Sequence, residues 1–165
     1  MFLAGLSISP NSSVFIKKII NFARMCKKIG LRTGAFYIIG FPGETKDTMM
    51  NTVNFALMLK RKYDVGMHLL FATPSYGTRL YKECKKNGYI RDNLTPRSFA
   101  EVRQNWGLPL IETENFTAKD VQEIAQKAMK KYRKLSIINY IKYPRKTLKT
   151  ALSQPNLIGK FIKNI

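Results

Sequence analysis

The sequence predicts an α/β fold built on a parallel sheet. Three observations lead there. Strand-like and helix-like runs alternate through the first 90 residues. The second and third strand-like runs are apolar at odd and even positions alike, the pattern of strands buried on both faces of a parallel sheet. Each closes in a glycine or proline turn that leads into a helix-start signal. Strands alternating with helices of this length imply parallel pairing through right-handed crossovers.

The elements follow in order. Residues 2–9 read as a short apolar strand, and Pro10-Asn11-Ser12-Ser13 as a turn whose serine caps a helix. Phe15, Ile19, Phe22, Cys26 and Ile29 recur at helical spacing, so the first helix is expected over 14–29, stopped at Gly30. Arg32 to Ile39 is β-branched and aromatic and reads as a buried strand, broken by Gly40-Phe41-Pro42-Gly43. Thr45 caps a second helix with Asp47 in its first turn, burying Met49, Val53, Ala56 and Leu57. Val65 to Ala72 is the next strand. Pro74 to Thr78 turns the chain into a third helix, 78–87, stopped at Gly88.

Residues 89–115, with Pro96, Gly107 and Pro109, read as irregular. A helix then starts at Thr117, with Asp120 three residues on and a Phe116–Val121 staple; Val121, Ala125, Ala128, Tyr132 and Leu135 form its inner face. Two further short helical stretches, interrupted by Pro144 and Pro155, are expected over 136–165. The organisation is thus 1–90 for the βα units, 91–135 for an extension with a helix, and 136–165 for a basic helical tail.

The balance of charge is extreme, with 29 lysines and arginines against 10 acids and a formal charge of +19. No acidic residue follows Glu123, whereas Lys127, Lys130, Lys131, Arg133, Lys134, Lys142, Arg145, Lys146, Lys149, Lys160 and Lys163 do. Three readings stay open for 127–163. It is a solvated helix face, a dock for an anionic membrane or acidic partner, or a nucleic-acid surface with Tyr132, Tyr140, Tyr143 and Phe161 stacking bases. The two cysteines, Cys26 and Cys84, lack metal-ligand spacing and read as buried thiols. The apolar N-terminus lacks a basic leader region, and no apolar run approaches the ~18 residues of a membrane span. A cytoplasmic protein is expected, with the tail able to hold it at a membrane surface.

Chemistry is expected at the strand ends. Gly34-Ala35-Phe36-Tyr37-Ile38-Ile39-Gly40-Phe41-Pro42-Gly43-Glu44-Thr45 is a strand ending in glycines before a capped helix. Parallel α/β folds place ligands outside the carboxyl ends of their strands. The plain alternative is a tight βα turn in which Glu44 favours the helix N-terminus. Phe71 to Tyr81 ends the next strand in the same way. Neither turn carries a phosphate-loop or dinucleotide fingerprint.

These motifs, in this order, resemble the second half of the radical S-adenosylmethionine domain, closest to the subgroup associated with a cobalamin-binding domain. The resemblance runs from Cys26 to Ile90 through Gly40-Phe41-Pro42-Gly43-Glu44-Thr45, Ala72-Thr73-Pro74-Ser75-Tyr76-Gly77-Thr78 and Gly88-Tyr89-Ile90. Ile111-Glu112-Thr113 and Phe116-Thr117 also look like that subgroup's tail. It implies a partial parallel (βα) barrel, about three of six βα units, followed by C-terminal helices. It implies S-adenosylmethionine and a 4Fe-4S cluster as cofactors, with cobalamin in the parent protein, and either hydrogen abstraction or methyl transfer as chemistry. Phe36, Ile38 and Gly40 become the adenosine-contact candidates, Gly43 and Glu44 shape the turn, and Ala72, Thr73 and Pro74 border the same pocket. His68, in step with Gly66, Leu70 and Ala72, is either a satisfied core residue or a substrate contact lining the barrel.

The sequence departs from the family in one decisive respect. The CxxxCxxC cluster loop and the first three strands have no counterpart, so this chain carries no metal ligands and no catalytic residue of its own. At the end of the first strand Ser9-Pro10-Asn11-Ser12 stands where the family often has an acidic ribose contact. The implied partner is the missing N-terminal half or a cobalamin-binding domain. Two other readings compete: a non-catalytic basic binding module, and an unrelated small α/β protein with a convergent turn.

Overall fold

A computed structural model of the chain describes residues 2–4, 12–90, 95–103 and 107–142. The elements are β1 (Phe2–Ala4), α1 (Ser12–Lys28), β2 (Gly34–Ile39), α2 (Lys46–Tyr63), β3 (Gly66–Phe71), α3 (Arg79–Lys86), α4 (Pro96–Arg103) and α5 (Ala118–Lys142). The sheet has the order β1-β2-β3 and both pairings are parallel. The expected strand–helix alternation is therefore present, as an α/β arrangement with a small parallel sheet.

Local chemistry sets the helix ends. Thr45 and Thr48 form a reciprocal capping box at the start of α2, and Asp64, at φ 61, closes its C-terminus. Thr78 accepts from the Tyr81 amide to open α3. Thr117 and Asp120 exchange the same pair of bonds before α5, with Phe116 and Val121 both buried as the staple requires.

The core lies on one face of the sheet. Tyr37, Ile39, Met67, Leu69 and Phe71 join Met49, Val53, Ala56 and Leu59 of α2 and Val121, Ile124, Ala125 and Ala128 of α5 in one cluster. Several expectations are corrected here. Among the described residues β2 and β3 are covered on one face only: the alternate positions Gly34, Phe36 and His68 are exposed, and Ile38 and Leu70 half-buried. Apolar content on both parities shows that a strand tolerates burial on two sides; it does not supply the second layer.

The buried stripe of α1 runs through Ile19, Ala23 and Cys26 rather than through Phe15, Phe22 and Ile29, the last two being 55% and 75% exposed. α1 packs on α2, and the heptad-spaced trio lies beside the buried stripe rather than within it. Third, Pro96–Arg103 is helical, not irregular. Pro96 occupies the first turn, where its missing N–H is harmless, and Thr95 and Ser98 exchange capping bonds. Fourth, α5 continues unbroken through position 136, and Leu57 on α2 is half-buried rather than buried. Residues 5–9 of the first expected strand, and 143–165 of the tail, lie outside the described residues. Among the described residues no helix is long and apolar enough to cross a membrane.

Candidate functional site

The carboxyl ends of β2 and β3 lie side by side, because the Ala72 amide donates to the Ile39 carbonyl at 2.9 Å and extends the parallel ladder beyond β3. The loop after β2 is held from within. Glu44 Oε2 accepts from the Gly40 and Phe41 amides, both at 2.8 Å, and the Glu44 amide donates back to the Phe41 carbonyl. Burial pushes the Glu44 carboxyl above its usual range by more than those two amides pull it down. Its carboxylate is thus engaged in bracing the turn. Gly40 and Gly43 take left-handed backbone, at φ 89 and 85. A Cβ on Gly43 would meet nothing, but one on Gly40 would lie 3.4 Å from a Val121 methyl. The close approach at Gly40 is therefore filled by α5.

The neighbouring turn is equally closed. Ala72 and Pro74 are buried, and the Thr73 hydroxyl donates to the Phe71 carbonyl at 3.1 Å. Ala72, Thr73 and Pro74 border the site by proximity, without presenting open polar groups.

The open face of the sheet brings the remaining candidates together. Register pairs Gly34 with Gly66, Phe36 with His68 and Ile38 with Leu70. The Phe36 and His68 rings stack at 4.9 Å between centroids and 27° between planes. His68 is exposed, so its core-residue reading is set aside. Its ring leans over Gly34, where Nε2 would lie 3.3 Å from an added Cβ. Gly34 and Gly66 thus form a flat floor beside an aromatic pair. Their role was missed in the sequence, although both sit two residues before the ring they support.

A curated relative is similar to most of this chain. It is an uncharacterized methyltransferase of Pyrococcus horikoshii, 28% identical over 124 residues, or 75% of this chain and 24% of that protein. The chain spans about a quarter of that relative's length. No known family profile matches the chain.

Two further features lie on the covered side. Tyr37 is buried with no hydrogen-bond partner for its hydroxyl among the described residues, and burial pushes its pKa up to about 12. Lys60, 8% exposed, donates to Asp64 at 2.7 Å and lies over the Tyr132 ring at 5.2 Å, while Asn139 donates to the same Asp64 oxygen at 3.0 Å. Neither feature was anticipated; each depends on residues far apart in the chain.

Proposed function

We propose that this chain is the C-terminal part of a radical S-adenosylmethionine barrel, of the cobalamin-associated subgroup, and serves methyl transfer or hydrogen abstraction as one wall of the reaction chamber. One observation carries the reading: apolar surface is left uncovered on two adjoining elements. Phe36, 39% exposed, with Ile38 and Leu70, occupies the open sheet face, and Phe15, Phe22 and Met25 of α1, with Ile29 just after it, are exposed beside its buried stripe. Further βα units added beside β1 would cover both surfaces and close a chamber over the strands. The similarity to a methyltransferase, over a quarter of that protein's length, favours methyl transfer.

The cluster does not fit this chain. Such clusters need several thiolates converging on one site. Cys26 and Cys84 are buried on α1 and α3, and among the described residues no group of three or more His, Cys, Asp and Glu converges. Cluster ligation and radical generation are therefore assigned to a segment outside these residues, and no step is routed through this chain. Adenosine fits better. Phe36 and Ile38 offer an apolar surface next to the glycine floor, and the braced turn at Gly40 keeps the strand end rigid. The Gly40 and Phe41 amides already serve Glu44, so contact there falls to side-chain faces and carbonyls. His68 stands where a substrate would pass and is assigned to substrate contact.

The test is co-expression with the polypeptide encoded upstream of the Met1 codon, under anaerobic conditions. The expected result is a stable complex that releases 5′-deoxyadenosine from S-adenosylmethionine and loses that release on Phe36→Asp. An upstream frame without a CxxxCxxC loop, or a complex with no such release, would sink the reading.

A further inference from the structure

We infer that the seam between α2 and α5 binds an acidic amphipathic helix of a partner protein. The inference stands apart from any chemistry at the strand ends.

The two helices run parallel and in step. Lys46 pairs with Asp120 at 2.7 Å near their N-terminal ends, and Asn139 bonds Asp64 near their C-terminal ends. The intervals are 18 and 19 residues, about 27 and 29 Å at the helical rise. Between their C-terminal halves lies a groove of about 460 Å³. Leu57, Met58 and Arg61 line it from α2, and Lys131, Lys134 and Leu135 from α5. At 3.6 residues per turn, Met58 and Arg61 lie away from the core face of Met49, Val53 and Ala56, and Leu57 lies at its edge.

Its chemistry is layered. Leu57, Met58 and Leu135 are half-buried and make a floor, while Arg61, Lys131 and Lys134 are exposed and make the rims. Among the described residues the cations have no carboxylate partner. Among the described residues the ion pairs are Lys46–Asp120, Lys60–Asp64 and Lys127–Glu123, so the acids nearest the seam are already taken. No acid follows Glu123 to neutralise the α5 side.

This layering selects the occupant. A planar bilayer would meet the charged rims and never reach the recessed floor. Single-stranded nucleic acid needs aromatic faces for its bases, and the lining has none. The chain's own last residues, and a second copy at +19, carry the wrong sign. A cylinder with leucines at i, i+3, i+4 and i+7 flanked by glutamates matches both layers, in the helix-in-groove mode.

The experiment uses the full chain and a fluorescein-labelled peptide of about 15 residues, made of Glu, Leu and Ala in that pattern, read by anisotropy. Saturable binding is expected, weakening as salt rises. Lys131→Glu with Lys134→Glu should weaken it at least about tenfold, because attraction becomes repulsion at two rim positions. Lys17→Glu with Lys18→Glu, the same charge change on the exposed side of α1, should leave it within about twofold. A peptide with serine for leucine should not bind. Hydrogen exchange on the unaltered chain should show protection of the C-terminal halves of α2 and α5 when peptide is added, which needs no variant to fold. The proposal is overturned by equal losses in the two charge reversals, by equal binding of the serine peptide, or by no saturation up to about 1 mM. It is also overturned if phosphatidylserine vesicles or an oligonucleotide, and not the peptide, respond to the seam reversal.

Discussion

Replacing the two loop glycines separates backbone strain from packing at the end of β2. Gly40 and Gly43 share nearly the same φ, 89 and 85, but a Cβ meets a Val121 methyl at 3.4 Å on Gly40 and nothing on Gly43. An L-residue in left-handed backbone costs ~1–2 kcal/mol, offset by ~0.4–1 from a stiffer unfolded chain. Gly43→Ala should therefore lose about 1 kcal/mol. Gly40→Ala should lose about the same or slightly more, since 3.4 Å is still van der Waals contact. Gly40→Val is different. Its γ-carbons would enter the space of a fully buried Val121, adding about 1–3 kcal/mol beyond Gly43→Val. Val121→Ala alone removes two buried methyls at ~0.8 kcal/mol each, and more for the cavity. In the double variant Gly40→Val with Val121→Ala, part of both losses should vanish, giving a coupling of at least about 1 kcal/mol. Urea unfolding followed by far-ultraviolet circular dichroism, with an unchanged slope, reads all of these. Gly43→Ala at or above wild-type stability would refute the strain argument. Strict additivity of the Gly40→Val and Val121→Ala losses would refute the contact.

Three more expectations follow from the electrostatics. The Cys84 thiol is fully buried and pushed up to about 11, by burial first and then by Glu83; in a Cys26→Ser background it should resist a thiol reagent near neutral pH and react at the rate of unfolding, while the stability tied to its protonated form declines as pH rises toward that value. Rapid native-state labelling would contradict this. Asp120 is held down to about 2 by Lys46, then by the Thr117 amide and hydroxyl, so its contribution is present above its ordinary 3.8 and disappears as pH falls toward 2. The melting-temperature gap between wild type and Asp120→Asn should close over that range, and a constant gap would show that Asp120 acts otherwise. Asp64→Asn keeps a residue tolerant of φ 61 but leaves Lys60 facing an amide; a loss of about 1–3 kcal/mol is expected, below that of a fully buried pair because Asp64 is one-third exposed. Thermal melts equal to wild type would remove Lys60–Asp64 from the set of stabilising contacts.

The candidate site was partly legible. Gly40, Gly43, Glu44 and Thr45 are a local device, and the turn they form was readable from their order. What Glu44 does with its carboxylate was not, because bracing a turn and meeting a ligand use the same residue type. α4 was missed for a similar reason: a proline breaks a helix in its interior and favours one in its first turn, and only the Thr95–Ser98 bonds tell the two apart. On α1, Phe15, Ile19, Phe22 and Cys26 all suit an inner face, and the position of α2 selected Ile19 and Cys26.

Apart from α4, the sequence by itself determined the order of the elements, the caps of α2, α3 and α5, and the alternation that makes the sheet parallel. Those depend on backbone conformation and on hydrogen bonds a few residues long. The tertiary structure alone decided which face of β2 and β3 is covered, that Gly34 meets Gly66 and Phe36 meets His68, and that α2 and α5 lie parallel with cations along their outer seam. A strand apolar on both sides is locally the same whichever side is buried. The choice belongs to where α2 and α5 come to rest, the latter more than 40 residues beyond β3, and no local periodicity encodes that.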